Sequence, residues 1–311
     1  MSTSNISFRK LTPRKHSRLY LIGNNILKSP YVLIMPAVLI AIATVVWPMA
    51  FCIYVSFQKW DMMTNTMTFV GLKNYQFIFT DETFLKTLRN TIVFLLSTVF
   101  GGMTLQLLLG VFFCNDTKRH NLVQTVMFTP HIIASVAIAT IWMYLMAPGD
   151  GLLNIIIEFF GGTGLDWYRD SSTALLSIII IAIWSGLGYG VLIVVAGLKG
   201  IPNYIYEAAR LDRTSPFKTF TKITLPLLSP TILYMLVTST AGAFSSFDTV
   251  KLLTNGGPDN STNLIALYIY QQGFEYAHYG RAMAAAVVLM VVSSTIAILN
   301  FALTKKKIHY Q

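Results

Sequence analysis

Long apolar runs and short polar segments alternate along the whole chain. A helix that crosses a bilayer needs about 20 predominantly apolar residues, and six of the runs have roughly that length. The fold class that we expect is therefore all-α, a polytopic membrane protein with six transmembrane helices. These helices are predicted at residues 31–57, 90–114, 122–146, 173–198, 231–247 and 282–304. They form a membrane domain over 31–304, flanked by a basic arm at 1–30 and a basic tail at 305–311.

A polar, helix-like segment at residues 199–227 separates the fourth and fifth predicted helices. Pro202 suits the first turn of a helix, and Tyr204, Ala208 and Leu211 then share one face of it. The small side chains of Ala208 and Ala209 keep this helix slim and allow another protein surface to approach its backbone closely. We therefore expect an amphipathic helix here that docks onto a partner.

A second short helix is predicted directly after the first one. Ser215 followed by Pro216 has the pattern of a helix cap with proline at the first helical position, and Pro226 is expected to end this helix. An amphipathic helix could instead lie on the lipid surface. The mixed charge of the segment and its series of prolines favour a docking element that transmits movement to the fifth helix.

Composition and charge agree with a membrane protein. The 311 residues include 54% hydrophobic and only 12% charged side chains, and the mean hydropathy is +0.59, too apolar for a soluble domain. With a cytoplasmic N-terminus, 16 of the 23 Lys and Arg residues lie inside and 10 of the 13 acids lie outside. The positive-inside rule then places both termini in the cytoplasm. The net charge of +10 is interpreted as a topology signal with anionic-lipid contact, and no nucleic-acid partner is expected.

Motifs for catalysis or metal binding are missing from the sequence. It contains neither a phosphate-binding loop nor a zinc-protease motif, and Cys52 and Cys114 have no spacing that indicates a disulfide or a metal site. The glycines of "GLGYG", at Gly186 to Gly190, fall inside the fourth predicted helix. We interpret them as close helix packing and a local weak point in the helix.

Polar residues within the fourth and fifth helices are candidates for a solute path, because polar groups in a membrane usually face a cavity or a bundle interior. A tyrosine ring can stack on a sugar face while its hydroxyl bonds the rim. The alternative is that the small residues only mediate helix packing, and Asp248 could equally cap a helix or gate the path. His131 is expected to be an interior hydrogen-bonded group. The candidate path residues are Tyr189, Ser239, Gly242, Ser245, Ser246 and Asp248.

The segment "YEAARLDRTSPFKTFTKITLPLLSP" resembles the EAA loop of ABC-importer permeases. Further segments resemble the carbohydrate-uptake branch of that family, which includes maltose, glycerol-phosphate and multiple-sugar permeases. They are "FVGLKNY" at Phe69 to Tyr75, "RNT" at Arg89 to Thr91, "GLKGIPNY" before the loop and "LLTNGGPDNSTNLIALYIYQQGF" after the fifth helix. One position departs from the family pattern, since Arg213 stands where the family usually has glycine.

The resemblance implies a type I ABC importer permease that supplies half of the path for a sugar-like solute. It implies a second permease subunit, most often a related but different chain in this branch. It also implies two cytoplasmic ATPases that bind ATP and Mg and an external solute-binding protein, and no cofactor is expected in this subunit. The loop at residues 199–227 would couple to an ATPase through Glu207, Ala208, Ala209, Leu211, Asp212 and Arg213. The external loop that docks the binding protein would include Asn255, Gly256, Gly257 and Pro258.

Two other classes of membrane protein are alternatives to this one. A transporter driven by an ion gradient would favour an inverted repeat and carboxylates deep in the membrane, and the sequence shows neither convincingly. A membrane enzyme would need a catalytic cluster, and none converges. A short external helix with an apolar side is also expected near residues 151–160.

Overall fold

The computed structural model describes residues 30–305. Two compact units divide the chain between Phe51 and Cys52. The described part of the first unit is helical, with an α-helix at Pro30–Ala41 and a π-helical turn at Ile42–Val46, and the helix Trp47–Ser56 begins at its end. All other elements lie in the second unit.

Four described helices are long and apolar enough to cross a membrane without a sharp bend, and two bent pairs of helices each meet the same test together. Six spans result if each bent pair crosses once, as the sequence predicts. Spans one, two, four and six are Pro30–Ser56, Glu82–Phe112, Ala174–Lys199 and Tyr279–Asn300. Span three is Lys118–Ile132 plus Ser135–Leu145, bent by 104°, and span five is Ser229–Leu253, bent by 65° from Pro216–Leu227 before it.

Shorter elements connect the spans. They are the strands Gln58–Asp61 and Thr66–Phe69 and the helices Lys73–Thr80, Leu152–Phe159, Asn203–Leu211 and Ile265–Tyr270. The two strands form an antiparallel hairpin in which Gln58 pairs with Phe69 and Asp61 with Thr66. The described elements are otherwise helical, as the sequence predicts, and this short hairpin is an element that the sequence analysis does not include. Its turn is fixed locally, because the Asp61 carboxylate accepts hydrogen bonds from the amides of Met63 and Thr64.

Span two begins eight residues before the predicted start at residue 90. Its first turn is polar and is capped by Asp81, whose carboxylate accepts a hydrogen bond from the amide of Thr83. Such a cap satisfies one of the free amides at a helix start. A run of apolar residues alone cannot reveal this polar extension.

Span three is not the single helix predicted at residues 122–146. The α-helix ends at Ile132, and Ile133 and Ala134 have extended backbone before a new helix begins at Ser135. Pro130 lies in the last turn of the first half, where its ring cannot supply an amide to the helix. The two halves therefore leave a corner in the middle of the membrane domain.

Span five and the segment before it also depart from the prediction. The helix that starts at Pro216 does not end at Pro226; it continues through a π-helical turn at Phe220–Thr224 as far as Leu227. The following helix runs over Ser229–Phe244 and, after a short break, over Asp248–Leu253. The chain changes direction at Leu228, two residues after the predicted helix end at Pro226.

Span four is the straight element against which spans two and three pack. It runs unbroken over Ala174–Lys199, and the weak point predicted at its glycines stays a prediction. The predicted close packing is present at Gly188, where an added Cβ would lie 2.0 Å from the carbonyl oxygen of Met127 in span three. Real Cβ atoms do not approach a backbone oxygen so closely, so this helix pair requires glycine at residue 188.

Candidate functional site

The helix Asn203–Leu211, named here the loop helix, presents one face outward and one face to the protein. Tyr204 and Leu211 are 68% and 85% exposed, and Glu207 and Ala208 are exposed beside them. Ala209, on the other side, is only 5% exposed. The outward face therefore contains most of the predicted coupling residues, but Ala209 packs inside the chain and cannot contact a partner.

Arg213 ends the loop helix in the left-handed conformation, with φ of +49°. Its amide donates to the carbonyl of Arg210, and the next amide, of Thr214, donates to the carbonyl of Ala209, each at 3.0 Å. This pair of bonds is the Schellman ending that usually places glycine at the left-handed residue. Arg213 thus adopts the conformation of the family glycine instead of ending the helix by another route.

The inward face of the loop helix packs on spans four and five. Ile205 and Tyr206 lie against a buried apolar cluster built from Val194, Ile201, Leu228 and Met235. The hydroxyl of Tyr206 also accepts a hydrogen bond of 3.3 Å from Thr224, in the helix that leads to span five. The loop helix is therefore fixed to the base of span five by both apolar and polar contacts.

A cavity of about 410 Å³ lies among spans two to five. The corner of span three forms part of its wall. Ile133, within the break, and Ser135, directly after it, both line the cavity. Its polar lining consists of Thr98, Gln106, His131, Ser135, Ser185, Tyr189, Thr238, Ser239, Ser246 and Thr249. No Asp, Glu, Lys or Arg is among the described residues that line it.

Aromatic rings form one wall of this cavity. The rings of His131 and Tyr189 stack with centroids 4.6 Å apart and planes 16° apart. The hydroxyls of Tyr189 and Tyr234 share a hydrogen bond of 2.8 Å. The expectation that His131 is an interior group is wrong, because this residue is exposed and stacks at the cavity wall.

Four of the six predicted path residues line the cavity, namely Tyr189, Ser239, Gly242 and Ser246. Ser245 is not among the lining residues, and its hydroxyl bonds the carbonyl of Ala241 in its own helix. Asp248 also lies outside the lining, where its carboxylate accepts a hydrogen bond of 2.6 Å from Ser135. This bond joins the break in span five to the break in span three, which agrees with a structural role for Asp248.

Gln106 is a cavity residue that the sequence analysis missed. Its amide donates to the carbonyl of Gly186 at 3.2 Å, and an added Cβ at Gly190 would lie 2.1 Å from its Cδ. Gly190 therefore leaves the space in which the Gln106 side chain lies. A single glutamine within the apolar run of span two is the signal that could have identified it, since polar groups there are costly.

The loop around residues 255–258, which the sequence predicts to be external, is fixed by hydrogen bonds from span two. The side-chain amide of Asn90 donates to the carbonyls of Asn260 and Asn263, and the hydroxyl of Thr91 accepts from the amide of Ile265. Lys86 bonds the carbonyl of Asp259 as well. The "RNT" segment thus fixes the shape of a loop that lies some 170 residues away in sequence.

Within this loop the predicted docking residues differ in exposure. Asn255 is exposed, and Gly257 and Pro258 are half-buried. Gly256 is buried and has a φ of +87°, a value that favours glycine. Its role in the loop is therefore conformational, and it cannot be part of a contact surface.

The described residues contain no group of three or more His, Cys, Asp or Glu side chains that could hold a metal ion. The arrangement of the site is instead that of a passage: a polar, uncharged cavity, and below it a helix that presents an outward face.

Known proteins resemble this chain in sequence. The family described as binding-protein-dependent transport system inner membrane component matches residues 106–309. A relative from Agrobacterium fabrum, the sn-glycerol-3-phosphate transport system permease protein UgpA, is 30% identical over 284 residues, which cover 90% of this chain and 96% of the relative. The protein of the same name from Pectobacterium atrosepticum is 30% identical over 285 residues, with coverage of 91% and 96%.

Solved structures resemble this chain in fold. A bacterial ABC transporter involved in the import of the acidic polysaccharide alginate has a chain with a TM-score of 0.78 and 24% identity, covering 93% of this chain and 99% of that one. A bacterial alginate transporter in complex with its pentasaccharide-bound periplasmic protein gives a TM-score of 0.78 at 22% identity, with coverage of 94% and 98%. The importer permease fold predicted from the sequence is confirmed.

Proposed function

This chain belongs to the family of binding-protein-dependent transport system inner membrane components and is a permease of an ABC importer, and from that premise we propose that it carries an uncharged, sugar-like solute. The family is one of transport permeases and not of enzymes. The chain would form half of the path, a second permease subunit would form the other half, and the loop helix would couple both to ATP hydrolysis.

The observation that carries this proposal is the position of the loop helix between solvent and the cavity. Its outward face, with Tyr204, Glu207 and Leu211, has no packing partner among the described residues of this chain. Its inward face contacts a cluster that includes Met235, and Met235 also lines the cavity. A partner bound to the outward face would therefore act on the cavity wall through one layer of packed side chains.

The partners follow from this arrangement. Two cytoplasmic ATPases would bind ATP and Mg, and one of them would receive the loop helix through Glu207, Ala208 and Leu211, with Asp212 and Arg213 at its end. A binding protein outside would deliver the solute to the external loop, where Asn255, Gly257 and Pro258 are accessible. Both termini would lie in the cytoplasm, as the distribution of Lys and Arg indicates.

The cavity lining supports an uncharged substrate. The curated relatives are named for the transport of sn-glycerol-3-phosphate, and the structural neighbours for alginate, and both of these substrates are anions. A cavity for an anion would favour Arg or Lys, because a charge without a partner in a membrane is costly. The lining here has hydroxyl and amide groups, one histidine and the stacked rings of His131 and Tyr189, which suit a solute with many hydroxyls.

An ion-driven transporter is the alternative function. Carboxylates deep in the membrane mark ion and proton paths in such proteins. The described lining of the cavity contains no carboxylate, so we place the ion-driven reading second.

Uptake into vesicles tests the proposal. The assembled transporter would be purified through a tag on this chain and placed in proteoliposomes with ATP inside and its binding protein outside. We expect ATP-dependent uptake of an uncharged oligosaccharide or polyol that resists ionophores, and no uptake of sn-glycerol-3-phosphate. We expect Glu207→Lys to lower uptake to the level without ATP, because it reverses the charge on the outward face. Lys222→Glu, a charge reversal outside that face, is the matched control.

Three results would contradict these expectations. Collapse of uptake with the ion gradient would favour the alternative function. Uptake of the phosphate ester alone would refute the inference from the cavity lining while leaving the coupling intact. Equal uptake by Glu207→Lys and Lys222→Glu, at equal amounts in the membrane, would show that the outward face of the loop helix is not the coupling surface.

A further inference from the structure

The helix Leu152–Phe159, named here the external helix, has its apolar side turned away from the protein. Phe159 and the adjoining Phe160 are 83% and 82% exposed, and Leu152, Ile155 and Ile156 are exposed on the same side. At 100° per residue these five positions fall within one face. A surface of this kind needs an apolar partner, because large exposed apolar patches mark interaction sites.

The polar side of the external helix is turned inward and is tied down. Asn154 is 1% exposed; its amide donates to the carbonyl of Leu165, and its oxygen accepts from the amide of Leu165 and from the indole of Trp167. Because Asn154 fixes the rotation of the helix, the apolar face cannot turn toward the protein. The hydrogen bonds of Asn154 therefore fix the orientation in which the apolar face is exposed.

The position of the external helix along the chain keeps it close to the membrane. Span three ends at Leu145, and the turn that follows closes at once, with the amide of Gly151 bonded to the carbonyl of Ala147 at 3.1 Å. Asn154 donates weakly to the same carbonyl at 3.4 Å. The helix therefore begins next to the end of a span, within reach of the interfacial layer, which is about 5 to 7 Å thick on each side of the hydrocarbon.

We propose that the external helix is an interfacial anchor whose apolar face lies in the lipid of the outer leaflet. The exposed apolar surface continues along span three, where Tyr144 at the end of the span is also exposed. Aromatic rings are enriched at this depth of a bilayer, and a helix with one apolar face lies in the interface plane. This anchor is independent of the transported solute and would hold the segment between spans three and four at a fixed height.

Spin-label accessibility in the assembled transporter tests the anchor. Cys52→Ala and Cys114→Ala would first remove the native thiols. Single labels would then be placed by Ile156→Cys and Phe159→Cys on the apolar face, and by Glu158→Cys, at an exposed position outside that face, as the matched control. In proteoliposomes we expect the first two labels to collide with oxygen, which concentrates in lipid, and the control to collide with a water-soluble nickel complex. The ratio of oxygen to nickel collisions should be several-fold higher for the apolar face.

Two outcomes would overturn the anchor. Equal accessibility of all three labels to the nickel complex would place the apolar face in water. Protection of the apolar face from both reagents would show that a protein subunit covers it, and so would protection that appears only when the binding protein is added. Labels at 156 and 159 that keep the lipid signature with and without the binding protein would support the anchor.

Discussion

The left-handed residue that ends the loop helix allows a quantitative test of how a single residue determines the stability of the helix ending. Arg213 has a φ of +49° and supplies one of the two hydrogen bonds of the helix ending. A residue with a Cβ is less stable in this conformation by about 1–2 kcal/mol. Glycine removes that strain, but it also gives the unfolded chain more conformational freedom, which lowers the stability of the turn by about 0.5–1 kcal/mol. With the middle of each range, Arg213→Gly should stabilise the closed turn by a net free energy of about 0.5–1 kcal/mol.

Hydrogen exchange of the turn amides measures this difference directly. The amides of Arg213 and Thr214 are the donors to Arg210 and Ala209, so they exchange when the turn opens. A change of about 0.5–1 kcal/mol corresponds to roughly two- to fivefold slower exchange in Arg213→Gly, after correction for intrinsic rates. Uptake should remain close to that of the native protein, since the shape of the loop helix is retained.

Asp212→Gly is the matched control for this experiment. Asp212 precedes the left-handed residue and has a φ of −74°, so glycine relieves no strain there and only adds freedom to the open chain. We expect faster exchange in this variant by a similar factor. Slower exchange in both variants, or no slowing in Arg213→Gly, would refute the strain argument.

Two further predictions concern other parts of the chain. Gly188→Ala should lower the free energy of unfolding by about 1–3 kcal/mol, because its Cβ would meet the backbone carbonyl of Met127, whereas Gly186→Ala has open space. Equal thermal stability of the two variants would refute this. Burial, together with the hydrogen bond to Asp81, raises the pKa of Tyr268 in the folded protein. The protonated Tyr268 hydroxyl therefore stabilises the fold fully below about pH 10, the pKa of tyrosine in the unfolded chain. This stabilisation is lost as the pH rises further. Tyr268→Phe should thus destabilise at neutral pH and show a shallower alkaline loss of stability; identical slopes of stability against pH in both proteins would contradict the assignment.

The sequence predicts those features that depend on neighbouring residues. The side of the loop helix with Tyr204, Ala208 and Leu211 is exposed as expected, because a period of 3.6 residues fixes which side chains share a face. The cap at Ser215 is present as well, since its hydroxyl accepts from the amide of Lys218. The sequence could not show that Ala209 is buried and Ala208 exposed, because the two adjacent side chains are identical.

Features that depend on residues far apart in sequence were not predictable. His131, Tyr189 and Tyr234 meet only after spans three, four and five have packed. The corner of span three follows Pro130, but a proline within an apolar run is tolerated in many membrane helices when neighbours satisfy the backbone. The 104° bend therefore depends on the packing around it and not on the proline alone.

The part of span five that lines the cavity lies between two joints, namely the bend at Leu228 and the break before Asp248. The loop helix contacts span five at the first of these joints. At the inner joint, Leu228 belongs to the cluster that the loop helix contacts. At the outer joint, Asp248 is bonded to Ser135 across the corner of span three. Packed side chains are nearly incompressible, so a displaced loop helix has to move the segment between these joints or unpack the cluster. Because Met235 and Ser239 line the cavity from that segment, we expect a displaced loop helix to change the width of the cavity.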